Sequence, residues 1–179
     1  MYHGKKVILR ELRPADLPYI MEYVNDYDTY SSFTDSAPRP KSEAYQLDWL
    51  KSSTREDLIT FAISDIETDE FLGTCQLRSI NRASHRSLFS IILKPTARGK
   101  GYGSDALRVL LSFAFDELNL HKVTLMVYKS NIGGRKLYEK VGFTYEGTLR
   151  QEVYRRGIYE DQLVYSILER EFGGHDANR

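Results

Sequence analysis

Residues 87–103 read SLFSIILKPTARGKGYG. The apolar run Leu88 to Leu93 predicts a strand that breaks at Pro95 and enters Arg98-Gly99-Lys100-Gly101-Tyr102-Gly103. An amphipathic pattern begins at Ser104 and continues to Asn119. Strand, glycine loop and helix in that order form a phosphate cradle. Glycines let successive N–H groups point into one concavity, and the helix N-terminus adds partial positive charge.

The surrounding pattern extends this unit. Leu107, Leu110, Leu111, Ala114 and Leu118 form one apolar stripe at helical spacing, and Val123 to Tyr128 reads as a strand after the short link Asn119-Leu120-His121. Strand, crossover helix and strand imply a parallel pair. Upstream, Lys6 to Leu12 predicts a first strand, Pro14-Ala15-Asp16 opens a helix, and Asn25 to Pro40 reads as a loop or broken helix. A helix is expected over Ser42 to Arg55, part-burying Tyr45, Leu47, Trp49 and Leu50, then a hairpin from Ile59 to Ile66 and Phe71 to Leu77. Downstream, a short helix from about Gly133 to Val141 stops at Gly142 in the C′ position. Two long strands, Phe143 to Tyr154 and Tyr159 to Leu168, turn at Arg155-Arg156-Gly157. A single domain over residues 1–172 with a disordered tail over 173–179 is the expected organisation.

Composition narrows the function. Lys plus Arg equals Asp plus Glu at 25 each in 179 residues, so no global field favours nucleic acid or an acidic membrane. Cys75 is the single cysteine, which excludes an internal disulfide and a cysteine-based zinc cluster. MYHGKKVILRELR lacks the apolar core of a signal peptide and no long uncharged apolar run follows. A cytoplasmic protein is expected.

Three glycine-loop chemistries compete. The P-loop pattern GxxxxGK followed by Ser or Thr is absent. A dinucleotide fingerprint starting at Gly99 and Gly101 meets Ser104 where its third glycine should stand, and Tyr128-Lys129-Ser130 offers no acid for a ribose. Arg-x-x-Gly-x-Gly is met by Arg98, Gly101 and Gly103, and the downstream run Asn131-Ile-Gly-Gly-Arg-Lys-Leu-Tyr138-Glu-Lys-Val-Gly-Phe143 gives it a partner. RGKGYG followed by N-x6-YEKVGF resembles the GNAT N-acetyltransferase family, in the branch holding ribosomal-protein N-terminal and spermidine acetyltransferases.

That resemblance implies an α/β fold: a mixed, mostly antiparallel central sheet of about seven strands, helices on both faces, and a splayed parallel pair in the middle. It implies acetyl-CoA as co-substrate and no metal. The pyrophosphate would rest on Arg98, Gly99, Lys100, Gly101, Tyr102, Gly103 and Ser104. The pantetheine arm would pair with Ile91, Ile92 and Leu93, beside Asn131 and Gly134. Tyr138 would protonate the leaving thiolate, since a phenol of pKa about 10 is a workable donor. Partners would be acetyl-CoA and an amine acceptor, either a small molecule or a protein N-terminus, with a homodimer as one assembly and neither nucleic acid nor membrane.

Two departures stand out. Many relatives place a carboxylate where this chain has Leu88, and Ser87 and Ser90 could only align a water. Glu11, Asp35 and Glu152 are the other candidate carboxylates for the acceptor side, and His85 could deprotonate an amine, although an exposed turn is its commoner fate. Relatives usually carry a helix former at position 134, and Gly133-Gly134 together cost about 1–2 kcal/mol of helix propensity. His121 suits a helix C-terminus, and Cys75 reads as core. The acceptor side is expected from Asn25 to Pro40, the second helix and the Arg155–Gly157 hairpin. Asp26, Asp28 and Asp35 among Tyr27, Tyr30 and Phe33 would suit a cationic amine; Arg155 and Arg156 argue for an acceptor carrying an acid. The two readings are an N-acetyltransferase acting by direct attack on a primary amine (a peptide N-terminus, a polyamine or another small amine) and a CoA- or nucleotide-binding regulatory module without turnover.

Overall fold

A computed structural model describes residues 1–34 and 36–173, so Asp35 and nearly all of the tail expected to be disordered lie outside the described residues. Nine strands form one sheet: β1 (Tyr2–His3), β2 (Val7–Arg10), β3 (Thr54–Arg55), β4 (Leu58–Asp65), β5 (Phe71–Asn81), β6 (Arg86–Leu93), β7 (Lys122–Tyr128), β8 (Thr144–Arg155) and β9 (Ile158–Leu168). Their order is β1-β2-β4-β5-β6-β7-β9-β8, with β3 beside β4. The surplus over about seven strands is the pair of two-residue strands β1 and β3, too short to show any period in the sequence. Every pairing is antiparallel except β6 with β7.

That parallel pair is brief. Arg86, Ser87 and Leu88 lie opposite Lys122, Val123 and Thr124, and no pairing follows. Meanwhile β6 stays on β5 as far as Leu93, and β7 stays on β9 as far as Tyr128. The two central strands therefore diverge from Phe89 and Leu125 onward, leaving backbone donors and acceptors along both facing edges. Such groups need a partner when shielded from water. The splay is the opening of the site.

Side-chain alternation sends the two faces of the sheet to different helices. One face presents Leu9, Ile63, Cys75, Leu77, Phe89 and Leu125 to α4 (Tyr102–Ser112) and α5 (Ile132–Val141). The other presents Ala62, Phe71 and Ile92 to α1 (Leu17–Val24), with Trp49 of α3 (Glu43–Lys51) packed against the same cluster. α3 differs from expectation in its faces: Gln46 is buried while Tyr45 is exposed. Between α1 and α3, Asp26 caps a five-residue helix, α2 (Tyr27–Ser31), by accepting from the Thr29 N–H at 2.8 Å.

α4 buries Ala106, Leu107, Leu110 and Leu111 completely. At about 1.5–3 kcal/mol for each buried leucine, that stripe fixes the helix to the sheet. α4 ends sooner than the apolar stripe suggests, because Phe113–Glu117 widens into a π turn in which Leu118 N–H donates to the Phe113 carbonyl at 3.2 Å. Its first turn is tied to the segment leading into β2: the Asp105 carboxylate accepts from the backbone N–H groups of Lys5, Lys6 and Val7 at 3.1, 2.7 and 3.1 Å. A charge-assisted bond contributes up to about 1.5–3 kcal/mol, and because two of these three are exposed to solvent the cluster is worth about as much as one such bond. Asp105→Ala is therefore expected to lower unfolding free energy by about 2–3 kcal/mol, read as a fall in the urea midpoint; an unchanged midpoint would contradict this anchoring role.

Candidate active site

A cleft of about 700 Å³ passes through the splay from one face of the sheet to the other. On the α4 side it begins at the glycine loop. A turn over Pro95–Ala97 ends β6, and Gly99 and Gly101 then take φ values of 75° and 89°, a region that favours glycine. Gly101 caps α4 in this conformation. The N–H groups of Lys100, Gly101, Tyr102, Gly103 and Ser104 donate to no backbone carbonyl among the described residues, as at any free helix N-terminus. Gly103 lies close to Leu93 and Leu137: a Cβ there would come within 3.3 and 3.4 Å of them.

Arg98, Gly99, Gly101, Gly103 and Ser104 line the cleft. Lys100 and Tyr102 do not, so any part they take is through backbone N–H. The Tyr102 hydroxyl donates to Asp65 at 2.7 Å, and the Lys100 carbonyl accepts from Lys6 Nζ at 3.0 Å. Arg98 turns inward, its Nε donating to the Leu93 carbonyl at 3.1 Å and its Nη2 to Thr29 Oγ1 at 3.3 Å. It thereby links the loop to α2. Lys136 and Lys140, one turn apart on α5, add positive charge to this half. Sequence reasoning passed over both; their i, i+4 spacing on the helix after Asn131 was the available signal.

Along the splayed edges the cleft is lined by Ile91, Ile92 and Leu93 from β6 and by Met126, Val127 and Tyr128 from β7. α5 closes the α4-side wall with Asn131, Gly134 and Tyr138. Asn131 caps α5, its Oδ1 accepting from Gly134 N–H at 2.9 Å. A Cβ at Gly134 would come within 3.0–3.1 Å of that same amide. The glycine that looked like a helix defect is what lets the cap fold back. Gly142 ends α5 with φ 112°, in the expected C-cap role.

Tyr138 is 8% exposed and packs edge-on against Phe89, with Phe143 on another side. Burial pushes its pKa up to about 12. Its hydroxyl makes no hydrogen bond among the described residues. A buried phenol facing a cleft without a partner is a donor in reserve.

On the α1–α3 face the lining is polar. Gln76 Nε2 donates to Ser90 Oγ at 2.8 Å, and Arg78 follows two residues on along β5, on the same face. Tyr128 donates to the Thr34 carbonyl at 2.7 Å, and the Arg155 guanidinium stacks 4.3 Å from the centre of its ring. Gln162, opposite Tyr128 on β9, completes this wall, while Asp28, Ser32 and Phe33 reach in from the α2 segment.

Leu88, Glu11 and Glu152 are absent from the lining, and Asp35 is outside the described residues. Asp28 is the lining carboxylate among the described residues, and it is held by Arg156. His85 sits in a turn with its Nδ1 2.9 Å from the Asn119 carbonyl, and His121 donates its backbone N–H to the His85 carbonyl. Neither faces the cleft. Cys75 is buried, and burial pushes its thiol pKa up, which suits a core residue and not a nucleophile. Among the described residues no cluster of His, Cys, Asp or Glu could hold a metal ion, and no helix is long and apolar enough to cross a membrane.

The strand pair opens between a glycine loop with free backbone N–H groups on one face and a polar pocket on the other, an arrangement with room for two substrates to meet. The comparisons with known proteins agree with this. Residues 6–144 match the model of the acetyltransferase (GNAT) domain. The chain is 33% identical over 181 residues to the spermidine N(1)-acetyltransferase of Escherichia coli K12, covering 96% of this chain and 91% of that protein. It is 25% identical over 177 residues to a putative ribosomal N-acetyltransferase of Bacillus subtilis, covering 96% of each. The crystal structure of spermidine N-acetyltransferase from Vibrio cholerae in complex with CoA and spermine superposes with a TM-score of 0.84 at 29% identity, over 92% of this chain and 96% of that one. The chain belongs to the GNAT acetyltransferase family. Its activity is acetyl-CoA-dependent N-acetylation of an amine.

Proposed function

We propose that the cleft takes acetyl-CoA from the α4–α5 face and a primary amine from the α1–α3 face, and that the acetyl group passes directly between them in a ternary complex. The observation that carries this is the splay. It leaves unpaired strand edges running from the free N–H groups of the loop to the hydroxyl of Tyr138. The residues fit the cofactor: the loop N–H groups with Arg98, Lys136 and Lys140 suit its phosphates, and the edges of Ile91 to Leu93 suit an extended amide-bearing arm. When bound, acetyl-CoA supplies an acyl group activated as a thioester.

The chain's own residues then position and polarise. The amine nitrogen forms the new bond to the acyl carbon, the carbon–sulfur bond breaks, and the sulfur leaves with the bond's electron pair. Tyr138 donates a hydrogen bond to that sulfur. With a pKa of about 12 it remains protonated while doing so, so the proton that finally neutralises the thiolate comes from the acetylated nitrogen by way of solvent. Arg98, bonded to both Leu93 and Thr29, holds the two halves of the cleft in register.

Release of free thiol from acetyl-CoA in the presence of an amine panel tests this reading, and saturable acetyl-CoA binding with no thiol release for any amine would refute it. The pH dependence is a further check. With Asp28 held by Arg156, no carboxylate in the described lining serves as base. kcat/KM is then expected to climb about tenfold per pH unit until the acceptor's own amine is neutral. Burial favours the neutral phenol, so no decline from Tyr138 is expected near pH 10, its titration being pushed up to about 12. A plateau beginning near pH 5 would instead reveal a carboxylate base.

A further inference from the structure

The α1–α3 half of the cleft carries its charge in an unusual form. Arg78 and Arg155 both line it, and neither forms an ion pair among the described residues. The Arg155 Nε is buried with no hydrogen-bond acceptor, and its guanidinium rests on the ring of Tyr128, which the bond to Thr34 holds in place. Stacking fixes the plane of the fork while leaving its outer N–H groups free. A half-buried guanidinium with no carboxylate beside it among the described residues carries a desolvation cost that an anion would offset.

The strand register shows that this anion is not a phosphate of the cofactor. Val123, Leu125 and Val127 alternate onto the α4–α5 face, so Met126 and Tyr128 point the other way. Thr74, opposite Ile92 on β5, lies on the α1–α3 face, and Gln76 and Arg78 follow it at strand spacing. Arg78, Tyr128 and Arg155 are therefore on the side of the sheet opposite the glycine loop. Among the described residues, the carboxylates that would have suited a polycation are otherwise engaged: Asp26 caps α2, and Asp28 is bound by Arg156, which also stacks on Tyr27 at 4.6 Å, while Asp35 lies outside the described residues.

We infer that the acceptor is a primary amine bearing a carboxylate a few bonds from its nitrogen, with that carboxylate received by Arg155 in a half of the cleft that Arg78 makes more positive. This rests on the transfer reaction proposed above and narrows its acceptor. Both an amino acid and an acidic peptide offer the required chemistry. Arg155 supplies a planar two-donor fork and Arg78 a second charge from the facing wall, so the amine is aimed along the splay toward the acyl carbon.

Thiol release is measured with glycine, β-alanine and γ-aminobutyrate, with their uncharged amides, with short peptides whose second residue is Asp or Lys, and with spermidine. At least one free or peptide-borne carboxylate should exceed its amide or Lys counterpart by about tenfold to a hundredfold in kcat/KM, the value of a charge-assisted contact, and should exceed spermidine. The free and peptide arms tell the two sources apart. Arg155→Gln should remove that preference mainly through KM, Arg78→Gln should weaken it, Arg155→Lys should restore part of it, and acetyl-CoA titration reports that each variant is folded. Turnover of spermidine or the amides at or above the carboxylates overturns the inference and leaves the transferase reading standing. Absence of thiol release with every amine overturns both.

Discussion

Tyr138→Phe is expected to lower kcat by about 10²- to 10³-fold, the usual consequence of removing one donor aimed at developing charge. Acetyl-CoA affinity should stay close to that of the unaltered protein. The substitution deletes one oxygen and leaves the ring, which keeps its contacts with Phe89 and Phe143 at centroid distances of 6.2 and 6.0 Å. No protein group loses a partner, because the hydroxyl has none among the described residues, so stability should hardly change. The raised pKa sharpens the role. A thiol titrates at about 8.5, well below a phenol pushed up to about 12, so full proton transfer from Tyr138 to the sulfur would run uphill. The proposed contribution is a hydrogen bond to the departing sulfur, and kcat in Tyr138→Phe should keep the pH slope of the unaltered protein. A variant with undiminished kcat would remove Tyr138 from the mechanism.

Gly73→Ala is expected to cost about 3 kcal/mol or more, the upper range for forced overpacking. Gly73 pairs with Leu93 on β6, and a Cβ at this position would lie 2.1 Å from the Ile92 carbonyl oxygen and 2.9 Å from the Leu93 Cα. Both are backbone atoms, so no rotamer change relieves the clash. The end of β6 must move, and it carries the edge on which the pantetheine arm is proposed to pair. The urea midpoint should fall and the KM for acetyl-CoA should rise together. An unchanged midpoint with unchanged KM would mean that β5 and β6 accommodate the methyl elsewhere.

The parts of the site that can be read from sequence are those encoded locally. Arg98 to Gly103 names its own conformation, because alternating glycines before an apolar helix have few other uses, and Asn131 to Phe143 does the same for α5. The β6–β7 pairing follows from strand, helix and strand, and the fold class follows from the resemblance of RGKGYG and N-x6-YEKVGF to the GNAT family. The acceptor face is different. Arg78 and Arg155 come from strands far apart in the chain, and only the register of β5 and the stacking on Tyr128 bring them to one pocket. The aspartates of the Asn25 to Pro40 segment looked like recognition groups for a cation, yet Asp26 is consumed as a helix cap and Asp28 as the partner of Arg156. A carboxylate's local environment is not written in its neighbours along the chain. Gly133-Gly134 misled for a similar reason. Its propensity cost is visible in sequence, whereas the returning side chain of Asn131 that needs Gly134 bare is visible only in three dimensions.

The central claim is that the cleft passes acetyl directly from acetyl-CoA to an amine, with no stop on the protein. Rapid mixing with acetyl-CoA alone, followed by free-thiol detection on the timescale of one turnover, addresses it most directly. Direct transfer predicts no thiol until an acceptor amine is added, and then one thiol for each amine acetylated. A burst of thiol equal to the protein concentration in the absence of amine, with acetyl left on the chain, would contradict it.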